Sequence, residues 1–246
     1  MPTALLRKFE RYTHLSGEER ELLTRIISER KRAFVPREDI VREGDPPPGL
    51  GVIRQGWAYC YKTLEDGRRQ ILGFLIPGDL IDPALLPFRE LDHSVGAITS
   101  VVYGEVPRPI VEELMRHPRL RQALWWDWLV KLAIQREWTL NVGRRDAFER
   151  LAHLFCELYF RLEAVGMTEG TSVQLPLTQT DLAEATGLSA VHINRTLQEM
   201  RSAGLVILRD HVLTIPDLPA LQVAAMFNPA YLHLDHEGHQ LDANEA

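Results

Sequence analysis

Residues 177–215, LTQTDLAEATGLSAVHINRTLQEMRSAGLVILRDHVLTI, restrict the fold of this chain more than any other stretch. Thr178 followed three residues later by Asp181 is a capping-box-like helix start, in which a side-chain oxygen takes up free amides of the first turn. Leu182 and Ala185 then face inward, Ala183 is small enough for a second helix to cross over it, and Gly187 supplies the positive φ of a sharp stop. Ser189 caps a second helix, and Ile193, Leu197 and Met200 recur at spacings of four and three, which makes one buried stripe. Ala183, Gly187 and Ile193 together form the helix-turn-helix spacing, in which the second helix is offered to a DNA major groove. With Ile193 inward, Val191, Arg195, Gln198 and Ser202 point outward, flanked by His192, Asn194 and Glu199. Gly204 ends the helix, and 206–208 and 212–215 read as strands joined through Arg209, Asp210 and His211. The whole is a winged helix-turn-helix.

Charge limits how such a chain can meet nucleic acid. The 246 residues carry a formal net charge of −6, so binding by bulk electrostatics is excluded and any DNA contact must be local. A hydrophobic content of 45% suffices for a sizeable core. The two cysteines, Cys60 and Cys156, stand far apart, which gives no support for a disulfide framework, a zinc knuckle or a cysteine-held cluster. No apolar run reaches membrane-spanning length and no export signal opens the chain, so the expectation is a cytoplasmic protein with no membrane partner. No P-loop, nucleophile elbow or HExxH occurs, and an enzyme is not expected.

Upstream of the reader, 15–30 is an amphipathic helix capped by Ser16, with Leu22, Leu23, Ile26 and Ile27 on one face. From 33 to 106 short β-branched and aromatic runs alternate with Gly and Pro, the texture of an antiparallel sandwich or roll. Asp66-Gly67 marks a hairpin within it. A short helix over 109–115 precedes a long one over 118–142. On the long helix Arg121, Trp125, Trp128, Leu132, Gln135, Thr139 and Val142 form a seam, with Leu124, Leu129, Ile134 and Trp138 beside it. An apolar stripe of that length calls for a partner, and the simplest is the same helix of a second copy, with Gln135 able to fix register. Gly143 to Asp146 breaks the pattern and reads as a hinge. A helix over 147–164 follows, with Phe148, Leu151, Ala152, Phe155, Leu158 and Leu162 inward and Cys156 packed among them. After a turn at 166–170, 173–175 reads as a short strand, and 216–225 as a short helix. His233, His236 and His239 are spaced for one helical face, but Gly238 disfavours a helix there, so a solvated tail is expected rather than a metal site.

A Gly-rich roll, a long inter-domain helix and a winged helix-turn-helix, in this order, resemble the Crp/Fnr family of bacterial transcription regulators. The resemblance is carried by GLSAVHINRTLQEMRSAGLV in the reader and by REGD, RQG, DGRRQILGFL and PGDLI in the roll. It implies an α+β fold: an antiparallel, cyclic-nucleotide-binding-like β-roll over 1–116, a dimerisation helix and hinge over 117–143, a winged helix-turn-helix over 144–221 and a tail over 222–246. It further implies a homodimer on a palindromic double-stranded operator, with RNA polymerase as a further partner for an activator. Arg195 stands where the family's recognition-helix arginine contacts guanine, and a guanidinium can donate two parallel bonds to O6 and N7. Ala190 and Val191 replace two other family readers, which leaves Val191, His192, Asn194 and Gln198 to complete the base contacts. Ser189, Thr178, Gln179 and Arg201 are placed for phosphate. Trp125, Trp128, Leu132, Gln135, Thr139 and Val142 are the implied dimer seam.

The sensor departs from the family pattern. No glutamate for a ribose follows Gly78-Asp79, HSVGAITSV offers no arginine for a cyclic phosphate, and Gln135 and Arg136 replace the small hydroxyl residues that touch the base. The clustered N-terminal cysteines of oxygen-sensing members are absent. No cofactor is expected and the effector is left open. The alternative reading is a ligand- or haem-binding sensor, haem being held by a histidine such as His93, whose helical domain docks protein.

Overall fold

The computed structural model describes residues 3–81 and 88–234, which form two compact units. Residues up to Cys60 and Phe74–Leu132 make most of the first; Tyr61–Gly73 and Ala133–Leu232 make the second.

The first unit opens with a helix beyond those expected from the sequence, α1 (Ala4–Tyr12). Its signals are local: Thr3 accepts the Leu6 amide at 3.3 Å, and Leu5, Leu6, Phe9 and Tyr12 recur at helical spacing and are buried. α2 (Gly17–Glu29) starts at the expected Ser16, whose hydroxyl and the Glu19 carboxylate cap each other's backbone amides.

Among the described residues eight short strands follow in two sheets. β1 (Lys31–Phe34), β8 (Val101–Val106), β3 (Leu50–Gln55) and β6 (Leu80–Ile81) lie side by side in that order. The second sheet runs β2 (Asp39–Val41), β7 (Ser94–Ala97), β4 (Ala58–Thr63), β5 (Arg69–Leu75). Phe34, Ile40, Ile53, Val95, Val101 and Tyr103 belong to one buried cluster that fills the roll. The glycines here are space-makers as well as corners. A Cβ at Gly96 would stand 2.8 Å from the Tyr59 ring. The expected Asp66-Gly67 turn is present, with Gly67 at φ +86° joining β4 to β5.

After α3 (Arg108–Leu114) comes α4 (Pro118–Arg144), 27 residues long. Leu120, Ala123, Leu124 and Val130 are buried, and so is the carboxylate of Asp127, which no solvent reaches. Lys8 at 2.5 Å and Lys131 at 3.1 Å compensate it, and Lys8 also pairs with Asp79 at 2.7 Å. Burial alone would raise the Asp127 carboxyl, but Lys131 and Lys8 outweigh it and hold it below the usual range.

The helix does not break at Gly143. It runs through Gly143 to Arg144, and the chain turns at Arg145. Glycine inside a helix costs only about 1 kcal/mol, and the stronger signal is the next helix's start, where Asp146 and Glu149 form a reciprocal capping box. α5 (Ala147–Ala164) then has the expected bounds and buries Leu151, Ala152, Phe155, Leu158 and Leu162. Phe148 is only half-buried. Cys156 is fully enclosed and burial pushes its thiol up to about 12, the state of a packing residue rather than a nucleophile.

In the second unit the strand expected near 173–175 is part of a sheet of four, ordered β11 (Ile207–Arg209), β12 (Val212–Thr214), β10 (Ser172–Gln174), β9 (Thr168–Glu169). α6 (Gln179–Thr186) and α7 (Ala190–Ser202) lie between the strands in sequence, and α8 (Leu218–Ala224) and a 3-10 turn at Pro229–Leu232 close the unit.

Of the tail histidines, His233 packs its ring edge-on to Trp126 at 5.8 Å, while His236 and His239 lie outside the described residues. His93 is buried, with Nδ1 at 2.8 Å from Asp92 Oδ1. Among the described residues no group of three His, Cys, Asp or Glu is arranged to hold a metal, and no helix is long and apolar enough to cross a membrane.

Candidate nucleic-acid interface

Local chemistry sets α6 and α7 at their angle. Thr178 and Asp181 cap α6 reciprocally, and Gly187 takes φ +68°, the left-handed conformation that ends it. Arg150 Nη1 donates to the Thr186 carbonyl at 2.6 Å and so satisfies the end of α6. On the same helix Arg69 binds the Glu184 carboxylate at 2.7 Å, and the Gln70 amide donates to the Ala185 carbonyl at 3.3 Å. Arg69, Gln70 and Arg150 were not singled out from the sequence, because their partners lie tens of residues away and no short motif announces them.

α7 begins where Ser189 accepts the His192 amide at 3.2 Å. Ile193, Leu197 and Met200 are buried as the spacing requires, with Thr196 also enclosed. The opposite face is bare. Val191 is 82% exposed, and Asn194, Arg195 and Gln198 are exposed beside it, while His192 is half-buried.

These polar side chains form a loose network. Arg195 Nη2 lies 3.0 Å from His192 Nε2, and its Nε lies 3.7 Å from Glu199 Oε1. Gln198 donates to Asn194 Oδ1 at 3.0 Å, and Asn194 reaches Gln179 Oε1 at 3.5 Å. Exposed pairs of this kind contribute little stability. They lay the guanidinium along the outer face of α7.

The four residues assigned to phosphate differ in what they have to offer. The Thr178 hydroxyl is committed, accepting from the Asp181 amide at 3.1 Å and donating to its carboxylate at 2.7 Å. The Ser189 oxygen accepts at the cap, and its own proton is left to donate. Gln179 sits at the start of α6, and Arg201 is exposed with Nη2 at 3.4 Å from the Leu208 carbonyl, against the wing. The wing's turn is tight, with Asp210 at φ +49° and His211 at φ +61°.

Along α4 the residues expected to form a seam differ in exposure. Trp125 (50%), Leu129 (49%), Leu132 (41%), Leu140 (46%) and Val142 (38%) are exposed. Trp128 is half-buried against Trp125, their ring centroids 5.0 Å apart. Leu124 and Trp138, read as lying beside the seam, are buried in their own chain. Gln135 donates to the Leu72 carbonyl at 2.8 Å, and Thr139 to the Gln135 carbonyl at 2.9 Å.

Comparison with known proteins agrees with this architecture. Residues 31–117 match the cyclic nucleotide-binding domain and residues 149–224 the Crp-like helix-turn-helix domain. The chain is 30% identical over 209 residues to the "Anaerobic regulatory protein" of Pasteurella multocida, covering 84% of this chain and 76% of that protein. It belongs to the Crp/Fnr family.

Another Crp/Fnr relative, the "Transcriptional activator protein FnrL" of Cereibacter sphaeroides, is 29% identical over 189 residues, 74% of this chain and 75% of that protein. The structure of FixK2 from Bradyrhizobium japonicum has the same fold, with a TM-score of 0.71 at 23% identity, over 79% of this chain and 96% of that one. As a Crp/Fnr member the chain is a sequence-specific DNA-binding transcription regulator, and α6 and α7 lie within its matched helix-turn-helix domain.

The roll does not fit the cyclic nucleotide for which the matched domain is named. Residues 93–101, HSVGAITSV, contain no arginine for a cyclic phosphate. The space between the sheets is packed with the apolar cluster around Ile53 and Tyr103. Asp79 is turned to Lys8 and to the Ile76 amide.

Proposed function

We propose that the regulator acts as a homodimer on a two-fold symmetric operator, one α7 per half-site, with the half-sites about one helical turn apart. The observation that carries this reading is the exposed apolar line Trp125, Leu129, Leu132 and Val142 on a helix whose other face is packed. A monomer would leave that line in water, whereas two antiparallel or parallel copies bury it and set two readers at a fixed spacing.

In each half-site Arg195 donates to guanine O6 and N7, Val191 meets a thymine methyl, and Asn194, His192 and Gln198 take neighbouring base edges. Ser189, Gln179 and Arg201 face phosphates and fix register, while Thr178, whose hydroxyl and amide are both given to Asp181, has no donor left for a phosphate and serves to hold the start of α6. With Ala190 and Val191 unable to accept or donate at a base edge, direct readout centres on Arg195. For an activator of this type the further partner is RNA polymerase.

Selection of genomic fragments by the full-length protein tests the proposal. The expected product is a two-fold symmetric motif with a guanine at equivalent places in both halves. Recovery of a motif without symmetry, or of none, would remove the dimeric reading.

A further inference from the structure

A cleft of about 410 Å³ opens between the start of α1 and the face of the β1–β8–β3 sheet that carries Val52. Leu5, Ile27, Val52 and Val102 give it apolar walls, and among the described residues its charged lining consists of Lys31 and Arg54, with no carboxylate. That bias is notable in a chain of net charge −6.

Arg54 is placed there by the backbone. The β3–β8 register slips between Ile53 and Gln55, and the arginine stem lies across Gly104, where a Cβ would come 3.2 Å from its Cδ. Its Nη1 is buried and has no hydrogen-bond partner among the described residues. A buried charged donor left unpaired is costly and is rarely kept without a partner that arrives. Lys31 brings a second cation from β1, and the first turn of α1 adds the positive end of a helix dipole. Three independent elements thus present positive charge to one partly apolar space of ligand size.

We propose that this cleft binds a small organic anion, its carboxylate or phosphate held by Arg54 and Lys31 and its apolar body against Leu5, Ile27 and Val102. The site is lined only by residues of the first unit, so it stands or falls independently of the operator reading.

Calorimetric titration of the full-length protein with benzoate, phenyl phosphate and benzyl alcohol tests it, with the Arg54 side-chain NH signal followed by NMR. One or both anions should saturate and shift that signal, and the stronger of the two identifies the head group. The neutral alcohol should bind at least about tenfold more weakly. R54M, which keeps the stem, should weaken the anion by about tenfold or more. K31M changes an exposed residue, so the fold is retained, and a smaller loss is expected. Equal binding of benzyl alcohol, undiminished anion binding by both variants, or no saturation by either anion would overturn the assignment.

Discussion

His153 Nε2 lies 3.2 Å from Glu137 Oε1, and the same oxygen lies 2.6 Å from Nη2 of Arg145. The three residues close the junction at which α4 ends and α5 begins. His153 is 1% exposed, stacked on Tyr231 at 5.9 Å and edge-on to Phe227 at 5.0 Å. Because Arg145 already supplies the positive charge that Glu137 needs, a second one on the imidazole is disfavoured. Burial, with the Arg145 guanidinium, pushes the His153 pKa down to about 3.

This makes the junction acid-sensitive. Below pH 6.5 the unfolded chain protonates His153 while the folded protein does not until about pH 3, so acid favours unfolding throughout that window. The contribution is complete above pH 6.5 and is lost on the way down, at up to about 1.4 kcal/mol per pH unit. In chemical denaturation between pH 7 and 4, H153F should show a shallower decline than the parent. Parallel pH profiles would contradict the neutral assignment.

Glu157 is a second buried node. Its carboxylate receives Trp138 Nε1 at 3.1 and 3.0 Å, Tyr231 Oη at 2.9 Å and Arg161 Nη1 at 3.1 Å. The carboxylate holds the Tyr231 phenol protonated well beyond its ordinary range, with burial the larger cause. E157A strands three donors and should cost about 3 kcal/mol or more. E157Q keeps an acceptor and should cost less. Equal losses in equilibrium unfolding would show that packing, not hydrogen bonding, is what the residue provides.

R195A should weaken binding to a selected operator by about 1–3 kcal/mol and relax preference at one base of each half-site. Arg195 is exposed and its pairs are weak, so thermal stability should be unchanged. The measurement is a competition titration against operators substituted singly at each base. An unaltered base preference would remove Arg195 from direct readout.

L132E places a charge on a 41% exposed position of α4, and W125E does the same at 50%. Both should sediment as monomers with unchanged circular dichroism, and both should lose operator affinity along with the dimer. Dimers that persist in both variants would place the interface elsewhere.

Much of this protein was legible without its structure because the informative signals span only a few residues. Ser16 with Glu19 and Thr178 with Asp181 each start a helix, and Asp66-Gly67 and Gly187 each turn the chain, through bonds or dihedrals settled within four positions. The α7 stripe of Ile193, Leu197 and Met200 was equally plain, since burial on one face fixes exposure on the other. The capping box of Asp146 and Glu149 is equally local and marks the true helix start, whereas Gly143, a breaker by composition, stays inside a helix packed by its neighbours.

What no window of residues could supply was the pairing of distant groups. Trp138 and Glu157 meet across 19 positions, Glu157 and Tyr231 across 74, and the partners of Asp127 lie on α1 as well as on its own helix. Which apolar side of α4 turns inward, and that Arg54 comes to rest over Gly104 with an unpaired nitrogen, follow from long-range register. Sequence thus determined the elements and the reader's face, because those depend on local hydrogen bonds and periodicity. Tertiary structure alone decided the buried charge network, the closure of the helix junction by Glu137, Arg145 and His153, and the cationic cleft, because each needs groups from different elements to be brought together in space.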